Sequence, residues 1–184
     1  MKRKGLIVVM LMGLAAMSAV AGMKNPMVGG QEMYPSKNII ENAVNSADHT
    51  TLVAAVKAAG LVETLEGAGP FTVFAPTNAA FSKLPAGTVD TLLKPENKST
   101  LTKVLTYHVV AGRLSAHDLM KQIKEGKGTA ELTTVEGGKL WVTLHEGKHI
   151  ELKDEMGGTA MVTIANVFQS NGVIHVIDTV VMPK

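Results

Sequence analysis

The chain has no cysteine and few aromatic residues, with one tryptophan, two tyrosines and four phenylalanines among 184 residues. Without cysteine it has no disulfide framework, no thiolate nucleophile and no site for a lipid thioether. It also lacks a GxSxG nucleophile elbow and a glycine-rich phosphate loop that opens a helix. We therefore predict that packing alone stabilises the fold, and we predict no catalytic site and no cofactor.

Three basic residues stand together at the start of the chain. Lys2, Arg3 and Lys4 precede an apolar run from Leu6 to Val20, which ends in the small residues of Ala19-Val20-Ala21. This pattern predicts a cleaved secretory signal over residues 1–21. A membrane anchor is the alternative, but the run is shorter than the roughly 20 residues that span a bilayer. We therefore expect a secreted protein, either periplasmic or extracellular.

Removal of the signal would change the charge of the chain. The loss of three of the 18 basic residues leaves 15 against 16 acidic ones, so the formal charge moves from +2 to −1. Arg113 is then the only arginine, and no lysine-rich stripe contains interleaved aromatic residues. This composition does not favour nucleic acid binding. No later stretch is apolar enough to insert into a membrane, and we expect a monomer.

The rest of the chain predicts a linker and one domain. Residues 22–34 are rich in Gly, Pro and Met without periodicity, which predicts a flexible linker before a domain over residues 35–184. The linker methionines could bind Cu(I), but no histidine or cysteine accompanies them. Helical periodicity continues to about Glu125, and short strands separated by Gly-Gly and Asn-Gly follow from Thr129. Helices followed by an antiparallel sheet predict an α+β fold.

One stretch, Gly69 to Phe81, encodes a strand, a turn and the start of a helix. Its sequence GPFTVFAPTNAAF alternates as a strand does until Pro76, which cannot donate a ladder hydrogen bond. Thr77 or Asn78 can then accept a hydrogen bond from the first free amides of a helix. We predict that these three residues form a structural turn and cap.

The segment from His145 to His149 spells HExxH, which holds zinc in peptidases when it lies on a helix. Its flanks alternate instead, with Leu140, Val142 and Leu144 before it and Ile150 after it. This pattern predicts a hairpin and disfavours a zinc peptidase. The two histidines remain weak candidates for a metal site, because they could face each other across the strand pair.

Three motifs in order closely resemble those of a fasciclin-type (FAS1) domain. They are the Gly69 stretch, LTYHVVAGRLSAHDL at Leu105 to Leu119, and SNGVIHVIDTVVMP at Ser170 to Pro183. The grouping is similar to the single-domain exported bacterial members, including secreted mycobacterial antigens. The resemblance implies a wedge-shaped antiparallel sheet arrangement packed with a small cluster of short helices. It also implies a role in cell adhesion or surface and matrix attachment, without catalysis.

In animal members of this family, a Tyr-His motif and an Asp-Ile dipeptide are associated with integrin binding. Tyr107 and His108 match the first, whereas Asn166-Val167 replaces the second and lacks the carboxylate that could complete a receptor-bound metal ion. Tyr107, His108 and His175 could instead be buried hydrogen-bond partners that lock the fold.

The predicted partner is a protein or polysaccharide of a cell surface or matrix. An envelope protein that binds a small molecule or a metal ion is the alternative. Asn97-Lys98-Ser99 also fits the glycosylation sequon, but the sequence does not show whether Asn97 is modified.

Overall fold

The computed structural model describes residues 24–184, so the predicted signal peptide, residues 1–21, lies outside the described residues. The helices within this range are short, none longer than ten residues. They are Ile39–Ala43 (α1), Thr50–Ala59 (α2), Val62–Glu66 (α3), Asn78–Ser82 (α4), Thr88–Leu92 (α5), Lys98–Tyr107 (α6) and Ala116–Glu125 (α7). The strands are Met27–Val28 (β1), Gln31–Glu32 (β2), Phe71–Pro76 (β3), Val109–Ala111 (β4), Thr129–Thr133 (β5), Lys139–His145 (β6), His149–Lys153 (β7), Thr159–Gln169 (β8) and Gly172–Ile177 (β9).

The segment predicted to be a flexible linker is ordered where the structure describes it. Strands β1 and β2 form a small antiparallel hairpin, and Gly29 and Gly30 make its turn with φ values of 58° and 75°. Val28 and Met33 are buried in the core beside α1 and α2. The prediction of a flexible linker is therefore wrong for this hairpin, because its two apolar side chains pack against the domain.

The other seven strands form one mixed sheet in the order β4-β3-β9-β8-β7-β6-β5. All neighbours are antiparallel except β3 and β9, which run parallel from Phe71 opposite Gly172 to Pro76 opposite Ile177. The two end strands also approach each other through an antiparallel bridge between Val110 and Thr134. The sheet is thus nearly closed, and it departs from the predicted antiparallel arrangement only at the parallel β3–β9 pair. The α+β fold class is confirmed.

Strand β3 is buried on both of its faces, since successive side chains of a strand point in opposite directions. Val73 and Ala75 enter a core formed with helices α1, α2 and α6. Phe74 enters a second core, which lies inside the curled sheet and is covered by α7 through Leu119. The opening motif of the sequence therefore joins the two cores, and this position explains its apolar character.

Both alternatives for capping at the end of β3 occur, but at different helices. The Thr77 hydroxyl accepts a hydrogen bond from the Ala80 amide at 3.2 Å and caps α4. The Asn78 side chain reaches back to the start of α2, where Oδ1 accepts from the Thr51 amide at 3.0 Å and Nδ2 donates to the Ala47 carbonyl at 2.9 Å. Asn78 therefore ties two helices together, which the local sequence could not show.

Candidate functional site

The Tyr-His motif lies at the junction of α6 and β4, and both side chains are buried. The Tyr107 hydroxyl donates to the Lys139 carbonyl at 2.5 Å and accepts from the Glu155 amide at 3.2 Å. Burial raises the pKa of Tyr107 to about 12, against a smaller opposing effect of the hydrogen bond from Glu155. The phenol is therefore neutral and joins α6 to the strands of the second core.

The imidazole of His108 uses both of its nitrogens inside the fold. Nε2 accepts from the Val181 amide at 3.2 Å, which leaves Nδ1 to donate to the Val104 carbonyl at 2.8 Å. Burial lowers the pKa of His108 to about 4, although the Val104 carbonyl and the Asp154 carboxylate favour the charged form. The ring is thus neutral and has one tautomer.

His175 occupies the equivalent role on strand β9. Its Nε2 is 2.7 Å from the Leu114 carbonyl, and its Nδ1 accepts from the Asn166 amide at 3.3 Å. Asn166 has a positive φ of 60° at an irregularity in β8, and its side-chain oxygen accepts from the Ala116 amide at 2.7 Å. Burial lowers the pKa of His175. The Asn166 position therefore supports the start of α7.

The sequence-predicted contact residues do not form a surface site. Tyr107, His108, Val167 and His175 are all buried, and Asn166 is half-buried with its amide and side-chain oxygen both bonded internally. A partner could reach the first four only if the fold opened. Their geometry favours roles in the fold, and an integrin-type contact at this position has no support from the structure.

Sequence reasoning missed two polar residues with equally dense internal bonding. Asn171, in the β8–β9 turn, accepts from the Ile39 amide at 3.0 Å and donates to the carbonyls of Leu65 and Gly67 at 2.7 and 2.9 Å. Asp154 accepts hydrogen bonds from the Met156, Gly158 and Met182 amides at 3.0, 2.7 and 2.8 Å. The Asn-Gly and Asp-x-x-Gly sequences indicate that Asn171 and Asp154 lie in turns. They do not indicate which distant residues these side chains bond to.

An exposed patch was also missed, and it has the composition of a contact surface. The ammonium of Lys37 lies 5.1 Å from the ring centroid of Tyr34, and the guanidinium of Arg113 lies 6.0 Å from that of Phe168. Ser170 joins the two pairs, because its amide donates to the Lys37 carbonyl at 2.9 Å and its carbonyl lies 3.5 Å from Arg113 Nη2. We call Tyr34, Lys37, Arg113 and Phe168 the aromatic-cation patch.

The two histidines of HExxH lie on a hairpin, as the flanking alternation predicts. His145 ends β6, His149 begins β7, and their Cα atoms are paired across the two strands. Glu146 and Gly147 form the turn with φ values of 50° and 70°. A helical zinc-peptidase site is therefore contradicted by the geometry. Within residues 24–184, no group of three or more His, Cys, Asp or Glu side chains is placed to hold a metal ion.

An apolar cavity of about 70 Å³ lies between α1, α2 and β3. It is lined by Val28, Met33 and Ile174 among other apolar side chains, and His49 borders it. His49 is buried with Nε2 unpaired, and burial lowers its pKa against smaller opposing effects of the Ala75 carbonyl and Asp48. The cavity is about half the roughly 150 Å³ of one that binds benzene. It therefore does not favour the small-molecule alternative.

The linker methionines do not form a metal site where they are described. Met27 is 58% exposed, whereas Met33 is 2% exposed and packed in the core. Met23 lies outside the described residues. Among the helices of residues 24–184, none is both long and apolar enough to cross a membrane.

Comparisons with known proteins agree with this fold. The chain is 47% identical over 160 residues to Protein sll1483 of Synechocystis, an alignment that covers 87% of this chain and 81% of that protein. It is 41% identical to the immunogenic protein MPB70 of Mycobacterium bovis, over 77% of this chain and 66% of the relative. The cell surface glycolipoprotein MPB83 of M. bovis is 42% identical, over 67% of this chain and 48% of the relative. The chain thus spans only part of the mycobacterial proteins.

The structural comparison and the family profile lead to the same assignment. A FAS1 domain pair from the insect cell adhesion molecule Fasciclin I superposes with a TM-score of 0.70 at 18% identity, over 80% of this chain and 51% of that one. This likeness shows the shared fold. The profile of the fasciclin domain matches residues 47–183, which include the second core, most of the first core and the whole mixed sheet. The chain therefore belongs to the fasciclin domain family.

Proposed function

We propose that this protein is a secreted, non-catalytic attachment domain that binds a protein or polysaccharide of a cell surface or matrix. Its membership of the fasciclin domain family supports this proposal, as do relatives named as a cell surface glycolipoprotein and a cell adhesion molecule. The predicted signal over residues 1–21 supports export. Capture from cells would identify the partner of this chain.

The aromatic-cation patch is the observation that carries this proposal. Tyrosine and arginine are enriched among the residues that dominate binding energy at interfaces. Here Tyr34 is 39% exposed and Phe168 is 37% exposed, and each ring is held beside a cation. A rigid ring beside a cation offers apolar area and hydrogen-bond donors with little entropy left to lose on binding.

The aromatic-cation patch is better placed for attachment than the Tyr-His motif, because the patch is at the surface and the motif is buried. Arg113 follows β4, Phe168 lies near the end of β8, and Tyr34 and Lys37 precede α1. The patch therefore draws on three separate segments that the mixed sheet and the N-terminal hairpin hold together. By contrast, Tyr107 and His108 are 0% and 2% exposed.

The experiment is to immobilise the purified domain and to capture partners from fractionated producing cells and from foreign cells. The double variant Tyr34→Ala/Phe168→Ala should reduce capture at least about tenfold, which corresponds to about 1.4 kcal/mol of binding free energy. The matched control is Met120→Ala/Met156→Ala, which removes two side chains that are 41% and 67% exposed at other places.

Equal capture by the patch variant and the wild type, with both folded by circular dichroism, would show that attachment uses another surface. Equal losses in the patch variant and the methionine control would show that the binding is nonspecific. Failure of the domain to capture any cell-surface protein or polysaccharide would contradict the attachment function itself.

A further inference from the structure

The hairpin of β6 and β7 places two imidazoles side by side on one face of the sheet. His145 and His149 are directly opposite in the strand register, so their Cβ atoms are expected about 4.5–5.5 Å apart. The alternate positions Leu144 and Ile150 point to the other face, where Ile150 is buried in the second core. The register therefore holds the two imidazoles together on the outer face.

Neither imidazole is engaged elsewhere in the described part of the chain. His145 Nε2 lies 4.0 Å from Glu146 Oε1 and Nδ1 lies 3.8 Å from Glu151 Oε1, and both distances exceed that of a hydrogen bond. The side chain of His145 is 50% exposed, and His149 is also exposed. His145 thus stands near two carboxylates, whose negative charge favours a cation bound at the hairpin.

We propose that His145 and His149 chelate a divalent late first-row transition metal ion at the surface, with Cu²⁺ bound most tightly. Imidazole nitrogen suits copper, zinc and nickel, and affinity at a given nitrogen site rises to a maximum at Cu²⁺. Water is available to complete the coordination, and the nearby carboxylates of Glu146 and Glu151 contribute negative charge rather than a placed third ligand. The site is one of binding only, because the two ligands lie on strands rather than on the helix that peptidase chemistry needs.

The other histidines of the chain distinguish this pair from chance exposure. His108 and His175 are buried with both ring nitrogens within hydrogen-bond distance of backbone groups, and His49 is also buried. His117 is exposed on α7. It therefore serves as a matched control with one accessible imidazole but without a cross-strand histidine.

The single tryptophan gives a direct signal for this site. Trp141 precedes His145 by four residues on β6 and points to the same face, which places it about 13 Å away at about 3.3 Å per residue. Paramagnetic Cu²⁺ at the hairpin should quench its fluorescence. Titration of the purified protein with Cu²⁺ should give saturable quenching at one equivalent, reversed by a chelator, and calorimetry with Zn²⁺ should show weaker binding at the same site.

The variants His145→Ala and His149→Ala should each weaken Cu²⁺ binding at least about tenfold, and His117→Ala should leave it unchanged. Both hairpin substitutions are at exposed positions, so circular dichroism and the urea midpoint should stay at wild-type values. Undiminished quenching in the double variant His145→Ala/His149→Ala would overturn the proposal. An equal loss of affinity in His117→Ala would also overturn it, since any exposed imidazole would then suffice.

Discussion

Single buried polar side chains hold this fold at positions where strands and helices meet. His108 is the clearest, because its two nitrogens pair with the Val104 carbonyl and the Val181 amide. The substitution His108→Leu would leave both backbone groups unpaired and should lower the free energy of unfolding by about 1–3 kcal/mol. Urea denaturation measures this change, and the exposed His117→Leu variant is the control. A His108→Leu variant as stable as the wild type would show that its hydrogen bonds contribute nothing net.

The raised pKa of Tyr107 leads us to expect a specific loss of stability in alkali. Its pKa is raised to about 12 in the folded protein, whereas an unfolded tyrosine ionises near 10. Between these pH values unfolding releases a proton, so the contribution is present below about pH 10 and is lost as the pH rises toward 12. Unfolding followed from pH 9 to 11.5 should therefore show a steeper decline in the wild type than in Tyr107→Phe. An equal decline of stability with pH in the wild type and in Tyr107→Phe would contradict the raised pKa of Tyr107 in the folded protein.

The sequence indicated that a few polar residues lie in the core, but not what they contact. Tyr107 and His108 stand among apolar neighbours, and this pattern indicates burial with internal hydrogen bonds. Their partners Lys139 and Val181 are distant in the chain, as is Ala116 from Asn166. A local pattern carries no information on such pairs, since only the tertiary fold brings them together. The aromatic-cation patch was missed for the same reason.

At the scale of the elements, the junction after β3 contains two capping residues of unequal importance. Thr77→Ala removes one hydrogen bond at the start of α4 and should cost about 1 kcal/mol. Asn78→Ala removes the bonds to Thr51 and Ala47 that connect α4 to the start of α2, so we expect a larger loss, on the order of 2 kcal/mol. Chemical denaturation of both variants checks the order. A greater loss in Thr77→Ala would contradict the bridging role of Asn78.

Local signals indicated the helical first part of the chain and the strands after it, and they failed where pairing is long-range. The Gly60 stop of α2, the Ser115 capping box of α7 and the β6–β7 hairpin all follow from neighbouring residues. The parallel pairing of β3 with β9 does not, because helices α4 to α7 and strands β4 to β8 separate these two strands in the chain. The β1–β2 hairpin was missed because two short strands carry too little periodicity, and its order depends on burial of Val28 and Met33.

At the scale of the molecule, the nearly closed sheet explains why so few candidate contacts reach the surface. Strand β3 is covered by helices on one side and by the second core on the other, and β9 beside it is buried along its whole length. Motifs on these central strands and on their junctions therefore specify the fold. Binding residues are expected instead on the outer face of the β5–β8 region, on its turns and on the segments before α1.

The three buried imidazoles together predict how stability depends on pH. Burial lowers the pKa of His49, His108 and His175, with that of His108 at about 4, whereas an unfolded histidine titrates near 6.5. Unfolding therefore takes up protons below about pH 6.5. The stabilising contribution is present above that pH and is lost as the pH falls toward 4. Each imidazole that gains a proton on unfolding makes the free energy of unfolding change by up to about 1.4 kcal/mol per pH unit.

The pH dependence that comes from the buried histidines can be separated from that of the carboxylates, because the carboxylates act at lower pH. Hydrogen bonds from Ser115 lower the pKa of Asp118, and those from the Lys139 and Lys184 amides lower the pKa of Glu155, so their contributions are lost only below about pH 4.5. Urea denaturation between pH 7 and pH 5 should thus report mainly the imidazoles. The slope should be smaller in His108→Leu than in the wild type. A stability that stays constant over this range would show that the buried rings gain protons without unfolding.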